Sequence, residues 1–215
     1  MELPVVDARG ELPHAALVRA VRRVAVALGR TGAVEVDVDG ATCLISSKRP
    51  GVRALNFAEH VMIDADANPD PLLDRIDAAF ADHGSACHAW TSDGEMPANL
   101  EEALMRRGHR HVERHVLALN PAAPRLSADE SVQIIPVRAA YQDAWRFYRT
   151  KAMESHVADP EAESDLVEAL ASASIDRLDE PRLELSFVRC NGEAVAVAGV
   201  FTLGEIGVIS PAYCR

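Results

Sequence analysis

The sequence predicts an α+β fold in which a mixed, mostly antiparallel sheet is flanked by helices in three layers. Residues 183–210 alternate or run apolar around two turn signals, Asn191-Gly192 and Gly204, which makes a three-stranded meander. Leu17, Val21, Val24 and Leu28 recur at helical spacing near the start. Between these two regions, apolar stripes of helical period alternate with short β-branched runs, so helices and strands are interleaved along the chain.

The first helix keeps Arg19, Arg22, Arg23 and Arg30 largely off its apolar stripe, and Gly29 and Gly32 are its stop signals. Val34, Val36 and Val38 alternate with Glu35, Asp37 and Asp39, a strand with one acidic, solvated face. Asp39-Gly40 forms a tight turn into a partner strand over 41–46, and Lys48-Arg49-Pro50-Gly51 a second turn into a strand over 54–63. Asp70-Pro71 opens a helix whose buried stripe is Leu72, Leu73, Ile76, Ala79 and Phe80, and His83-Gly84 closes it. A short strand over 86–90, a helix over 97–107 stopped by Gly108, and a strand over 109–120 complete this half.

Pro121-Ala122-Ala123-Pro124 and the polar run that follows form a linker, so the chain divides into residues 1–120, a linker over 121–130 and a unit over 131–215. In that second unit residues 132–137 form a strand that Pro136 confines to a sheet edge. A helix then carries Tyr141, Trp145 and Tyr148 on one stripe, with core packing as the ordinary role for such aromatics. Residues 150–160 are polar and turn-rich, and 161–178 form a second helix on Leu166, Val167, Leu170 and Ile175. The closing meander has Leu183, Leu185 and Phe187 on one face, a doubly covered strand over 194–201, and a third strand over 205–210 that Pro211 ends.

Composition narrows the function classes. The 215 residues are 48% hydrophobic, enough for a substantial core, and no apolar run reaches the roughly 20 residues of a membrane helix. The first residues lack a basic n-region with an apolar h-region, so the expectation is a cytoplasmic protein with no membrane partner. Cys43, Cys87, Cys190 and Cys214 are scattered without metal or framework spacing and are expected as free thiols. A net charge of -11 excludes nucleic-acid backbone binding as the main activity and favours a cationic or amine-bearing partner.

The order polar hairpin, apolar strand with central Gly199, turn, then Gly207-Val208-Ile209-Ser210-Pro211-Ala212-Tyr213 resembles the GCN5-related N-acetyltransferase superfamily. In that family the fourth strand runs through V-x-P-x-Y-R into a pyrophosphate loop, (Gln/Arg)-x-x-Gly-x-(Gly/Ala). Cys214 stands where Arg is common, Arg215 is the last residue, and no Gly-x-Gly follows it. The layout of the first unit resembles a degenerate copy. There the loop 64–70 places three carboxylates at a helix N-terminus, where they would repel a pyrophosphate. The resemblance therefore implies a tandem arrangement with an acyl-CoA N-acyltransferase-like fold, a first unit that does not bind coenzyme, and a second that carries the coenzyme end.

The implied activity is transfer of an acetyl group from acetyl-CoA to a primary amine of a small molecule or peptide. The amine must lose a proton before attack, which calls for a base, and Glu205 is the catalytic candidate at the start of the last strand. The resemblance implies backbone amides at Val208 and Ile209 for the oxyanion, with Ser210, Cys214 and Arg215 on the coenzyme side. The segment joining the two helices lies over the acceptor in the family, which makes Tyr148, Glu154 and His156 substrate-contact candidates. The alternative is a non-catalytic acetyltransferase-like module that binds a ligand or pairs with a second copy. No metal site is expected: His109, His111, Glu113 and His115 share strand parity, but same-face neighbours about 7 Å apart do not converge on one ion.

Overall fold

The computed structural model describes residues 14–91, 96–112, 132–155 and 163–214. It is an α+β protein of two antiparallel sheets flanked by helices.

The first half comprises α1 (His14–Arg30), β1 (Val34–Val38), β2 (Ala41–Ile45), β3 (Phe57–Glu59), α2 (Asp70–Asp82) and α3 (Ala98–Arg106). Gly40 takes φ +94°, the left-handed geometry a tight hairpin needs, and closes β1 onto β2 with Val38 opposite Ala41. β2 is the central strand, and both its faces are covered. Cys43 and Ile45 pack with Leu73, Ile76 and Phe80 of α2 and Leu100 of α3. Leu44 on the other face meets α1 beside Phe57. Helix α1 comes that close because Gly29 has no side chain: an added Cβ would lie 2.9 Å from the Phe57 ring.

Three predicted strands of this half are shorter than expected or lie outside the described residues, each for a local reason. The strand expected over 54–63 is a 3₁₀ turn (Arg53–Leu55) followed by three strand residues. Asn56, fully buried, accepts from the Ser46 amide (2.8 Å) and the Ser85 hydroxyl (2.7 Å) and donates to the carbonyls of Arg49 (2.8 Å) and Val52 (3.0 Å). Those bonds hold the chain in a bend just before β3, and His60 at φ +51° ends the strand. Residues 86–90 form no full strand: they meet β3 at the parallel Ala58–Trp90 bridge, where the Ala58 amide donates to the Ala89 carbonyl at 2.9 Å, and the His88 amide donates to the Asn56 carbonyl at 3.0 Å. Residues 109–112 join no sheet, and 113–120 lie outside the described residues. His109 sits edge-on to Trp90 and His111 pairs with Glu101, so the strand parity assumed for a metal face does not hold for these two.

The second half runs β4 (Val132–Pro136), α4 (Tyr141–Ser155), α5 (Ser164–Asp176), β5 (Leu183–Cys190), β6 (Glu193–Leu203) and β7 (Ile206–Cys214). The strands lie in the order β4-β5-β6-β7, all antiparallel, with β4 at one edge as its Pro136 requires. Ala144, Phe147, Tyr148, Ala171 and Ile175 form a core against Phe187 and Val197. Tyr141 of the predicted aromatic stripe, the first residue of α4, is instead 59% exposed.

Two further expectations are corrected. The polar run 150–160 was expected as a turn, but α4 continues through Ser155. Lys151, Ala152, Met153 and Glu154 all favour helix, and Ala152 is buried. Likewise β7 does not stop at Pro211. Tyr213 pairs with Val197 and Ser210 with Gly199, so Pro211 and Ala212 lack register partners. The proline is tolerated because it sits in a bulge on an edge strand, where no ladder donor is demanded of it.

Helix α1 also serves the second half: Val24, Ala27 and Leu28 pack on Leu183 and Phe201. It is therefore shared between the two sheets. Arg49 strengthens the contact, bonding the Ser172 hydroxyl (2.6 Å) and the Asp176 carboxylate (2.7 Å) of α5. The third layer expected over the second sheet is not found among the described residues. Its far face carries Ile134, Val200 and Ile209, which are 66%, 37% and 62% exposed. No helix among the described residues is long and apolar enough to cross a membrane.

Candidate functional site

The C-terminal end of β7 lies under the last turns of α4, and several polar side chains meet there. Tyr213 points to the helical side of the sheet, packs edge-on against Phe147 at 5.7 Å, and donates its hydroxyl to Glu154 Oε2 at 2.7 Å. Lys151 Nζ stands 5.0 Å above the centre of the same ring. The one-turn spacing of Tyr148, Lys151 and Glu154 places them along one side of α4.

Arg177 stands in the 3₁₀ turn (Arg177–Asp179) after α5, and its charge acts on Tyr148 and Lys151. Its Nε is buried with no hydrogen-bond acceptor, although other parts of the side chain keep some exposure. Burial pushes its guanidinium below its usual range, which the neighbouring Tyr148 partly offsets, and it remains a cation. Burial first and the Arg177 charge second lower the Lys151 ammonium. Tyr148 is pushed up to about 12 by burial, against the pull of Arg177. Neither Lys151 nor Arg177 has a carboxylate partner among the described residues. An unpaired, partly buried cation carries an uncompensated desolvation cost.

The sequence-predicted residues fall in different places. Tyr148 is 6% exposed, so its ring belongs to the core and its hydroxyl shares the Arg177 neighbourhood. Glu154 is on the α4 surface, held by Tyr213. His156 and Arg215 lie outside the described residues. Glu205 is exposed in the turn before β7, not within the strand. Eight residues separate it from Tyr213, roughly 26 Å along an extended strand, so Glu205 and Glu154 cannot act on one reacting group. Val208 packs toward α1, Ile209 faces the open side of the sheet, and both keep regular partners, Phe201 and Val200. Ser210 stands at the bulge and Cys214 is exposed at the strand end.

Lys151, Arg177 and Tyr213 were not singled out from the sequence. Tyr213 lay in the quoted motif, but nothing in the spacing showed that its hydroxyl would meet a carboxylate 59 residues away. An open groove of about 410 Å³ elsewhere on α4 is lined by Tyr141, Gln142, Trp145 and Arg146. It lies at the start of the same helix, and its lining holds no carboxylate. Among the described residues no three metal-binding side chains converge.

No protein-family model matches the chain, and comparison with curated proteins and with solved structures finds no match.

Proposed function

We propose that the chain is an acetyl-CoA-dependent N-acetyltransferase acting on a primary amine of a small molecule or peptide, with its site at the C-terminal end of β7. The observation that carries the reading is the bulged end of β7 beneath α4, in a sheet built as strand, two helices and three strands in antiparallel order. It supports the resemblance in the Ile209-Ser210-Pro211-Ala212-Tyr213 segment, because the family's coenzyme loop would follow this strand end.

In this reading Glu154 replaces Glu205 as the proton acceptor. An acceptor ammonium must be deprotonated before it attacks a thioester, and a carboxylate within hydrogen-bond reach does this directly or through one water. The Tyr213 hydroxyl donates to Glu154 Oε2 and so orients the carboxylate at the end of α4. The oxyanion needs a preorganised donor. At the bulge the Pro211 and Ala212 backbone is out of register, and of the two only Ala212 carries an N–H. Acetyl-CoA would supply the acyl thioester.

Calorimetric titration of acetyl-CoA into a chain extended past Arg215 by the family's loop tests this. Heat of binding is expected, together with amine-dependent release of coenzyme thiol that Glu154→Gln lowers at least tenfold and Glu205→Gln leaves unchanged. Absence of both heat and thiol release overturns the reading. The open apolar face at Ile134, Val200 and Ile209 favours a second reading, a non-catalytic module that pairs with another copy.

A further inference from the structure

We infer that the open face of the second sheet is a contact surface for a second copy of this chain, in a two-fold, face-to-face pair. Phe187 and Val197 point to the helices, so their neighbours along each strand point the other way. The register sets those neighbours in rows. Ile134 lies in line with Val188 and Ala196, Ser186 opposite Ala198, and Val200 between Glu184 and Ile209. Exposed Ile134 thus stands at one corner and exposed Val200 and Ile209 at the diagonal one, with Ser186, Ala196 and Ala198 as a trough of small side chains between them. Apolar side chains left open together in this way mark an interaction site.

Charge, shape and area select the occupant. The chain carries a net charge of -11, yet Glu184 is the only charged side chain in these rows. A partner recognised by charge finds almost nothing to pair with there, whereas a second copy brings an equally uncharged surface and keeps its acidic groups outside the contact. A two-fold contact sets one patch against itself, so large side chains must meet small ones. With the axis across the strands at the Ser186–Ala198 row, Val200 of each copy lies over Ala196 of the other. Four strands about 4.8 Å apart and the eight residues of β5 at about 3.3 Å each give a face of roughly 500 Å². Two copies bury roughly 1,000 Å², the lower limit for a specific interface, so the pair forms and separates with concentration. This contact is the surface on which the pairing reading rests, and it forms whether or not acyl transfer takes place.

The test is sedimentation equilibrium of the full chain from low-micromolar to near-millimolar protein, at low and at high sodium chloride. A monomer–dimer equilibrium is expected that tightens at least twofold at high salt, because screening removes the repulsion between two acidic copies. Ile134→Glu and Ile209→Glu should each weaken it at least tenfold. Both side chains are exposed in the single chain, so the fold does not need them, and an unchanged Tm in dilute protein checks this. Glu184→Gln removes the one charge from the face and should tighten the pair at least twofold, a gain that misfolding does not give. A monomer at every concentration overturns the pair. So does a dimer that weakens as salt rises, or one that both glutamate variants leave unchanged. None of these results bears on acetyl-CoA heat or thiol release, so the acyl-transfer reading stands or falls separately.

Discussion

The Tyr213 hydroxyl bonds Glu154 Oε2 at 2.7 Å and so ties the end of the last strand to the end of α4. The contact matters because it lies where the bulged end of β7 meets the last turns of α4, with Lys151 over the Tyr213 ring. Tyr213→Phe removes the donor and keeps the ring on Phe147 and under Lys151. It is expected to cost about 1 kcal/mol, a fall in Tm of about 2–4 °C for a chain of this size. If the acyl-transfer reading holds, turnover should fall more steeply than stability, since the Tyr213 hydroxyl no longer orients the carboxylate. A thermal melt and an amine-dependent thiol assay on the same preparation separate the two effects.

Gly199 is the second test. It lies opposite Leu185, and a Cβ there would overlap the Glu184 carbonyl oxygen and lie 2.8 Å from Leu185 Cα. Those are backbone atoms of the neighbouring strand and cannot rotate away. Gly199→Ala is therefore expected to destabilise by about 3 kcal/mol, the upper range for overpacking, seen as a lower urea midpoint. Gly204→Ala makes the comparison, because nothing lies within 4 Å of a Cβ at that position and only its φ of +60° opposes the change. Its cost should be near 1 kcal/mol, as for other non-glycine residues forced into the left-handed region.

The cysteines give a pH-dependent test. Burial pushes Cys43 up to about 11, helped by the Asp37 charge, and Cys87 up to about 12. At pH 8 about one Cys43 in 10³ and one Cys87 in 10⁴ is thiolate, which is the reactive form. Brief alkylation at that pH should label exposed Cys214 and spare Cys43 and Cys87 until the chain is unfolded. The sign for stability follows. The folded thiols hold their protons above the pH at which the unfolded ones release them. Their contribution is thus intact below pH 9 and declines as pH rises from 9 toward 11 and 12. Equal labelling of all four cysteines in native protein would contradict this placement.

Much of the secondary structure is written in local signals. The Val34, Val36, Val38 alternation, the Asp39-Gly40 and Asn191-Gly192 turns, the Asp70-Pro71 helix start and the apolar run of β6 each specify their element within a few residues. Errors arose where distant groups decide. Residues 54–63 have strand character, yet four side-chain bonds of Asn56 turn the backbone aside. Pro211 marks a strand end in isolation, but a bulge absorbs it.

The candidate site was legible only in part. Glu154 was singled out from the expected position of its segment, and Glu205 from strand parity, but the length of β7 keeps the two apart. Lys151 and Arg177 carried no sequence signal, because an unpaired cation looks the same in a sequence as a paired one. What the sequence by itself determined is the set of elements and the apolar face of each, since periodicity and turn chemistry act over a handful of residues. The tertiary structure alone decided that α1 lies between two sheets, and which polar side chains meet at the end of β7. Burial and charge pairing depend on groups that only packing brings within a few ångströms.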